Sequence, residues 1–499
     1  MFDGNWALWT LSIGALVLLT YLTRVNQLLS QTPAEVCKLS GPRWTPQQLK
    51  STYRRLQNNP IDYSDKLPPR LERRYIVTGG SGLVGGFIVQ QLLARGTPTD
   101  HIRILDIRRP ELNDVKEVEF VQTDVTSRLS VDEAFAMPWP FDAAELPLTV
   151  FHTAAVILAS ERSASRYGFP EAVNVGGTRN VLSAARAFGA DIFSATSSGS
   201  ISIRPVRPFA LPFVSREKNN FWQVLDERDF ADPLRPREGY FGNYPASKAV
   251  AERIVCEADE DGFRTGCIRP ANGVYGNPTD NTVGDPLSRD VLPTWVPHIV
   301  QSFVHGANVA IAHLHHEAAL LLLESPSSGR PFVVTDPNPP ITYGDLYTAI
   351  RMLSVHPFAT IRVPPVAILV LAHAVELYDD LPQRLPSLLS KMLPQLRGDL
   401  KLLKPGIFSI CTHLVASDAD ARKPISRGGI GYEGVLTTLE GMVLEVLEWN
   451  REHSGSEWNG NGNSTGNVIA RKAYTTSVSL ADKIQKRLGV VGNASVAVG

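Results

Sequence analysis

One short stretch constrains this chain more than any other. Residues 74–95 read Arg-Tyr-Ile-Val-Thr-Gly-Gly-Ser-Gly-Leu-Val-Gly-Gly-Phe-Ile-Val-Gln-Gln-Leu-Leu-Ala-Arg, a β-branched strand that runs into glycines and then into an apolar pattern of helical period. The glycines fit both Gly80-x-Gly82-x-x-Gly85 and Thr78-Gly79-x-x-Gly82-x-x-Gly85. Glycine at these points permits a tight turn, lets backbone N–H groups approach a pyrophosphate at the positive end of the helix, and allows the helix to pack closely on the strand. The turn Gly79, Gly80, Ser81, Gly82, Leu83, Val84 and Gly85 is therefore the expected cradle of a dinucleotide.

The strands that follow extend this reading. His101-Ile-Arg-Ile-Leu-Asp106 ends in an acid 21 residues beyond Gly85, the place for a carboxylate that binds the adenosine ribose hydroxyls. That favours NAD, because Asp106 would repel a 2′-phosphate; Arg108 and Arg109 follow at once, so NADP stays open. A third strand over 118–125 brings Asp124 and Val125 toward the adenine edge. A fourth over 148–155 ends in small residues, Ala154 among them, across which a cofactor can lie. Strands alternating with helices predict an α/β fold with a Rossmann-type, doubly wound parallel sheet.

A reaction also needs a proton-transfer group. In Tyr244-Pro-Ala-Ser-Lys248 the i, i+4 spacing puts phenol and ammonium on one helix face, where the ammonium is expected to make the phenolate less costly and suit it to act as a base. Tyr240 fails the same test, since position 244 is not lysine. Upstream, Ile192-Phe-Ser-Ala-Thr-Ser-Ser-Gly-Ser-Ile201 reads as a strand ending in hydroxyls. A serine there can hold the same substrate oxygen as the tyrosine while hydride moves to or from a nicotinamide.

Together these segments resemble the extended short-chain dehydrogenase/reductase superfamily, most closely its 3β-hydroxysteroid dehydrogenase/isomerase family, which includes the decarboxylating sterol-4α-carboxylate 3-dehydrogenases. The resemblance covers about residues 74–350 and also rests on Phe151-His-Thr-Ala-Ala, Asn174-Val-Gly-Gly-Thr, Thr196-Ser-Ser, Ile268-Arg-Pro-Ala-Asn-Gly-Val-Tyr-Gly276 and the 304–313 segment. It implies Tyr244 as acid/base, Lys248 as ribose ligand and pKa modifier, Ser198 as donor to the substrate oxygen with Ser197 as the alternate, and Pro270 beside the nicotinamide amide. It further implies oxidation of a 3β-hydroxyl on a sterol, steroid or triterpenoid, with decarboxylation at the adjacent carbon as a variant. The alternatives are an NADPH-dependent ketone reductase or sugar-nucleotide epimerase of the same superfamily, and a dinucleotide-binding sensor or scaffold without turnover. The 204–240 insertion and the tail beyond 455 depart from the family's pattern.

At 499 residues the chain exceeds one ordinary domain of ~100–200 residues. Its 49 basic and 50 acidic side chains nearly cancel, which removes a global electrostatic case for nucleic acid. Four scattered cysteines without a C-x-x-C pair indicate neither a disulfide scaffold nor a zinc knuckle. From Gly4 to Thr23 no side chain is charged, and Trp6, Trp9 and Tyr21 lie near the ends of this run, so residues 1–25 read as a single membrane anchor; a signal peptide and a buried core helix are the competing readings. The basic residues after it leave the body cytoplasmic, and with the resemblance this implies the endoplasmic reticulum membrane.

The expected organisation is thus anchor 1–25, surface linker 26–73 with one short helix, catalytic body 74–350, helical substrate region 351–455 and flexible tail 456–499. A polycyclic lipid substrate, the membrane and a second copy are the expected partners. His313-Leu-His-His-Glu317 is expected on a helix surface, with no metal, because i, i+2 and i+3 do not share a face. The apolar run 363–375 is too short to span and is expected to pack as a core or interfacial helix. Asn463 and Asn493 match glycosylation acceptors that this orientation keeps out of the lumen.

Overall fold

The computed structural model describes residues 5–110, 115–209, 219–322, 325–455, 467–471 and 483–485. Its central sheet has seven parallel strands: β1 (Arg74–Thr78), β2 (Ile102–Asp106), β3 (Glu119–Gln122), β4 (Leu148–His152), β5 (Ala190–Thr196), β6 (Arg264–Pro270) and β7 (Pro331–Val334). They lie in the order β7-β6-β5-β4-β1-β2-β3. The order reverses at β1, with Thr78 paired to Leu105 on one side and His152 on the other. A crevice opens there beyond the strand ends, the usual ligand position in a doubly wound sheet.

Both faces of the sheet are covered, which is why β1 is apolar at consecutive positions. Tyr75 and Val77 pack with Ile88, Val89 and Leu92 of the helix Leu83–Ala94 and with Ala310 and Leu314 of the helix Gly306–Leu320. Ile76 points the other way, into a cluster with Val181 and Ala184 of Gly177–Ala187 and Val255 of Asn243–Glu257. The period-2 alternation of the strand thus selects which helices each residue meets.

Residues 26–73 are more than the surface linker expected from sequence. Thr45 caps the helix Pro46–Asn58 by accepting from the Gln48 N–H. Its Leu49, Tyr53 and Leu56 are buried in one core with Tyr347, Ile350, Met442, Val446 and Trp449. Their spacing of four and three residues makes a single apolar stripe, and the helix Thr438–His453 that covers it comes from almost 400 residues away in the chain. Strands tie 351–455 to the body: Ala359–Arg362 pairs with Val291–Thr294, and His413–Ala416 pairs with Gln301 and with Trp222–Leu225. The tail other than 467–471 and 483–485, Asn463, Asn493 and residues 210–218 of the insertion lie outside the described residues.

The helix Asn5–Leu29 is the one helix among the described residues long and apolar enough to cross a membrane; its 25 residues rise about 37 Å. Trp6 and Leu8 through Leu19 are bare, whereas Val25 is buried with Leu369, Ala372 and Phe408. Asn26 Oδ1 accepts from the Val366 N–H at 3.2 Å and the Leu29 carbonyl accepts from His298 Nε2 at 2.9 Å, so the end of this helix is built into the body.

Two buried acids strain the folded state in a testable way. Glu445, on Thr438–His453, faces Asp280, and burial raises the pKa of both, with the Asp280 charge adding to the effect on Glu445. An acid held protonated in the fold but ionised in the unfolded chain makes stability fall as pH rises above the ordinary carboxylate range. Glu445→Gln keeps the shape and removes the proton uptake. We expect it to stabilise the protein by about 1–2 kcal/mol at pH 8 and by much less at pH 4. Thermal unfolding at the two pH values checks this, and equal effects at both would contradict it.

Candidate functional site

The glycine turn is shaped by close approach. Gly79 adopts φ +71°, and a Cβ there would stand 2.7 Å from the Ala154 nitrogen; a Cβ on Gly85 would stand 2.4 Å from the Gly79 carbonyl oxygen. The helix therefore begins flush against β1, with Gly82 as its N-cap. The N–H groups of Leu83, Val84 and Gly85 precede the first intrahelical acceptor and form the positive end that suits a pyrophosphate.

Asp106 closes the neighbouring side. Its Oδ2 accepts from the Ser81 N–H at 3.1 Å and its Oδ1 from the Arg108 N–H at 3.3 Å. Burial nevertheless raises its pKa, those backbone bonds opposing the shift. The Arg109 guanidinium lies over the Phe120 ring, 5.0 Å from its centre. Asp124 is engaged within its own turn, accepting from Thr126 N at 2.9 Å and Thr126 Oγ1 at 2.8 Å, while Val125 packs against Gly177. Ala154 stands beside Gly79 and across from Thr78. The turn, Asp106 and Ala154 thus border one crevice.

Sequence reasoning assigned no role to the crevice's polar floor. Thr178 Oγ1 donates to the Asn174 carbonyl at 2.6 Å, so it must accept from His152 Nε2–H at 2.9 Å. His152 Nδ1 is then left to accept from Thr78 Oγ1 at 2.7 Å. Burial, reinforced by the Lys248 charge, pushes the His152 pKa down to about 3, which keeps the ring neutral in this chain of bonds. The signal was present in Phe151-His-Thr-Ala-Ala and Asn174-Val-Gly-Gly-Thr, but only the fold brings the two motifs together.

Tyr244 sits in the first turn of Asn243–Glu257 and meets the Ser198 hydroxyl at the end of β5. The start of that helix is pinned: Asn174 Nδ2 donates to Ser247 Oγ at 2.9 Å, and Ser247 Oγ donates to the Tyr244 carbonyl at 2.8 Å. Ser197 is engaged elsewhere, donating to Glu252 Oε2 at 2.5 Å, and Glu252 in turn forms a buried two-point ion pair with Arg269 at 2.7 and 2.5 Å. Gly199 rests against the Pro270 carbonyl, 2.9 Å from its would-be Cβ, which brings Pro270 beside the serine loop.

Burial dominates the electrostatics of this pair. Lys248 Nζ donates to the Thr196 carbonyl at 2.7 Å. Burial raises the Tyr244 pKa, with the Ser198 hydrogen bond opposing it, and burial lowers that of Lys248, with Cys267 and Glu252 opposing. Desolvation penalises the charged form of each group, so sharing a helix face with the ammonium does not by itself lower the phenol.

His313 and His316 do not lie on an exposed helix surface. They are fully buried under the sheet, where both Nδ1 atoms lie 2.8 Å from Ser194 Oγ, and His313 Nε2 lies 2.8 Å from Thr196 Oγ1. A sheet-covering helix in a doubly wound fold buries more than one stripe, which the expectation of a helix surface left out.

A cleft of about 460 Å³ opens next to this site. Tyr240, Phe241 and Gly242, just before Tyr244, line one wall; Leu369, His373 and Glu376 line another. Pro205, Val206 and Pro208 of the insertion border it.

The sequence pattern of the NAD dependent epimerase/dehydratase family matches residues 75–313, from β1 through the helix that seals the sheet. Over those residues, just under half of the chain, the sequence is similar to that family of extended short-chain dehydrogenases. Among individual relatives, the chain is 26% identical over 325 residues to a mouse protein named short-chain dehydrogenase/reductase family 42E member 1, covering 61% of this chain and 74% of that one. It is 30% identical over 286 residues to a Mycobacterium tuberculosis 3 beta-hydroxysteroid dehydrogenase/Delta 5-->4-isomerase, covering 53% of this chain and 65% of that one, just under two thirds of its length. Among solved structures, MoeE5 in complex with UDP-glucuronic acid and NAD superposes with a TM-score of 0.50 at 16% identity, over 76% of this chain and 99% of that one; this shows the shared fold. In an extended short-chain dehydrogenase a dinucleotide lies across the crevice bordered here by Gly79–Gly85, Asp106 and Ala154, and the close-approach glycines and bare helix end fit it.

Proposed function

We propose that this protein is a membrane-anchored, NAD(P)-dependent dehydrogenase that oxidises the 3β-hydroxyl of a sterol, steroid or triterpenoid. The observation that carries the reading is Tyr244 facing Ser198, one helical turn from Lys248, at the strand end beside the dinucleotide cradle. The bound dinucleotide supplies the hydride acceptor. The helix end at Leu83–Gly85 holds its pyrophosphate and Asp106 its ribose hydroxyls, which favours NAD over NADP. Tyr244 Oη takes the proton of the substrate hydroxyl while Ser198 Oγ holds that same oxygen, and Lys248, anchored on Thr196, orients the ribose. Where a carboxylate lies β to the new ketone, the C–C bond to it breaks with loss of carbon dioxide. Its electron pair forms an enolate that the hydroxyls of Ser198 and Tyr244 stabilise. The relatives named as 3β-hydroxysteroid dehydrogenases support the substrate class, and the bare N-terminal helix supports anchoring; the basic residues after that helix favour a cytoplasmic body, and the endoplasmic reticulum is the membrane we propose.

Purified full-length protein incubated with NAD or NADP and a panel of 3β-hydroxysterols, with and without a 4-carboxylate, tests the reading. We expect ketone and reduced cofactor to appear in equal amounts, faster with NAD. The match to an epimerase pattern favours one second reading, sugar-nucleotide epimerisation. Turnover of UDP-sugars without added cofactor, and none of sterols, would replace the first reading with it.

A further inference from the structure

We propose that the helix Pro365–Arg384 lies against the bilayer beside the N-terminal helix, so that the cleft next to the catalytic helix opens at the lipid surface. This rests on the anchor reading above and adds a second contact with the membrane. The helix is inverted relative to one that faces water. On its outward face Val370 (49% exposed), Leu371 (44%) and Leu377 (58%) are bare, with the exposed Ala367 and Ala374 between them, and that sector carries no charged side chain from Pro365 to Leu381. Two of its acids point inward and are paired: Glu376 takes both arms of Arg162 at 2.6 Å, and Asp379 binds Lys404 at 2.6 Å and also binds Arg166. A surface helix of a soluble protein shows the opposite arrangement, because bare apolar area in water costs about 25 cal/mol per Å².

Continuity with the anchor identifies the occupant. Val366 binds Asn26, and Leu369 and Ala372 share a cluster with Tyr21, Val25 and Leu29, so this helix lies alongside the end of the helix that can cross the membrane. The exposed Leu389 (52%) and Met392 (79%) extend the bare surface beyond it. The same helix presents Leu369, His373 and Glu376 to the cleft, giving it a lipid-facing side and a cleft-facing side. A sterol has almost no presence in water, so a mouth at the bilayer removes the need to desorb it.

Spin labels report which side faces lipid. In a Cys37→Ser background of the full-length protein in phosphatidylcholine vesicles, a nitroxide is attached at Leu371→Cys, Leu377→Cys, Leu16→Cys or Asp261→Cys, and collisions with oxygen and with a water-soluble nickel chelate are measured. Residue 261 is 98% exposed and serves as the aqueous reference, and residue 16 reports the anchor. We expect labels at 371, 377 and 16 to gain oxygen collisions and lose nickel collisions relative to 261. Lipid-like values at 16 with water-like values at 371 and 377 would overturn the proposal and leave the anchor standing. Water-like values at all three would overturn both. Labels at 371 and 377 shielded from both reagents would indicate a second protein surface there and overturn the lipid as occupant.

Discussion

Tyr244→Phe lowers kcat for sterol oxidation by about 10²–10⁴-fold, the usual worth of a positioned acid/base, and leaves NAD affinity within a few-fold of wild type. The phenol oxygen is the one atom removed, and the ring continues to fill its place beside Ser198. The pH profile supplies a second readout. Burial holds the phenol above its ordinary value, and oxidation uses the phenolate, so the wild-type rate rises with pH. A cation beside the phenol lowers its pKa, so the kcat profile, which reports the complex with oxidised cofactor, lies at lower pH than the cofactor-free titration of Tyr244. Steady-state kinetics across pH 6–10 with both proteins tests this; full activity in Tyr244→Phe, or a rate that falls with pH through this range, would sink the assigned mechanism.

Glu252→Ala destabilises the protein by about 3–5 kcal/mol, because it leaves the Arg269 guanidinium buried with only part of its partner set. Asp229, 2.6 Å from Arg269, retains one contact and limits the loss. The substitution also frees Ser197 in the strand-end loop that positions Ser198, so kcat falls along with stability. Pairing it with Arg269→Met removes the orphaned charge and recovers most of the lost stability, as replacing whole buried ion pairs by apolar groups often does. Urea unfolding of the two single variants and the double variant measures the coupling. If Glu252→Ala costs less than the double variant, the ion pair is not what holds this loop.

The dinucleotide half of the fold was legible because its signals are local. The Gly79–Gly85 turn, the β-branched strand before it and the acid closing β2 each follow from backbone sterics and charge within a few residues. The parallel sheet needed only the alternation of those units. The Tyr244–Lys248 pair was legible for the same reason, since an i, i+4 spacing reads directly as one helix face. The electrostatic consequence drawn from it was not, because a pKa depends on how much water the surrounding chain excludes.

The remaining features were decided in three dimensions. Ser197 and Ser198 are adjacent and chemically alike. Only the strand's alternation, combined with Glu252 arriving from a helix 55 residues later, turns one toward an ion pair and leaves the other facing the phenol. Leu49, Tyr53 and Leu56 belong to a core because Thr438–His453 returns to cover them. His313 and His316 are interior because their helix is pressed on the sheet. By itself the sequence determined the cradle, the sheet and the candidate acid/base, whose physics is short-range. Burial, and with it the protonation of the site, the choice of serine and the outward face of Pro365–Arg384, depends on partners hundreds of residues apart, and the tertiary structure alone brings those together.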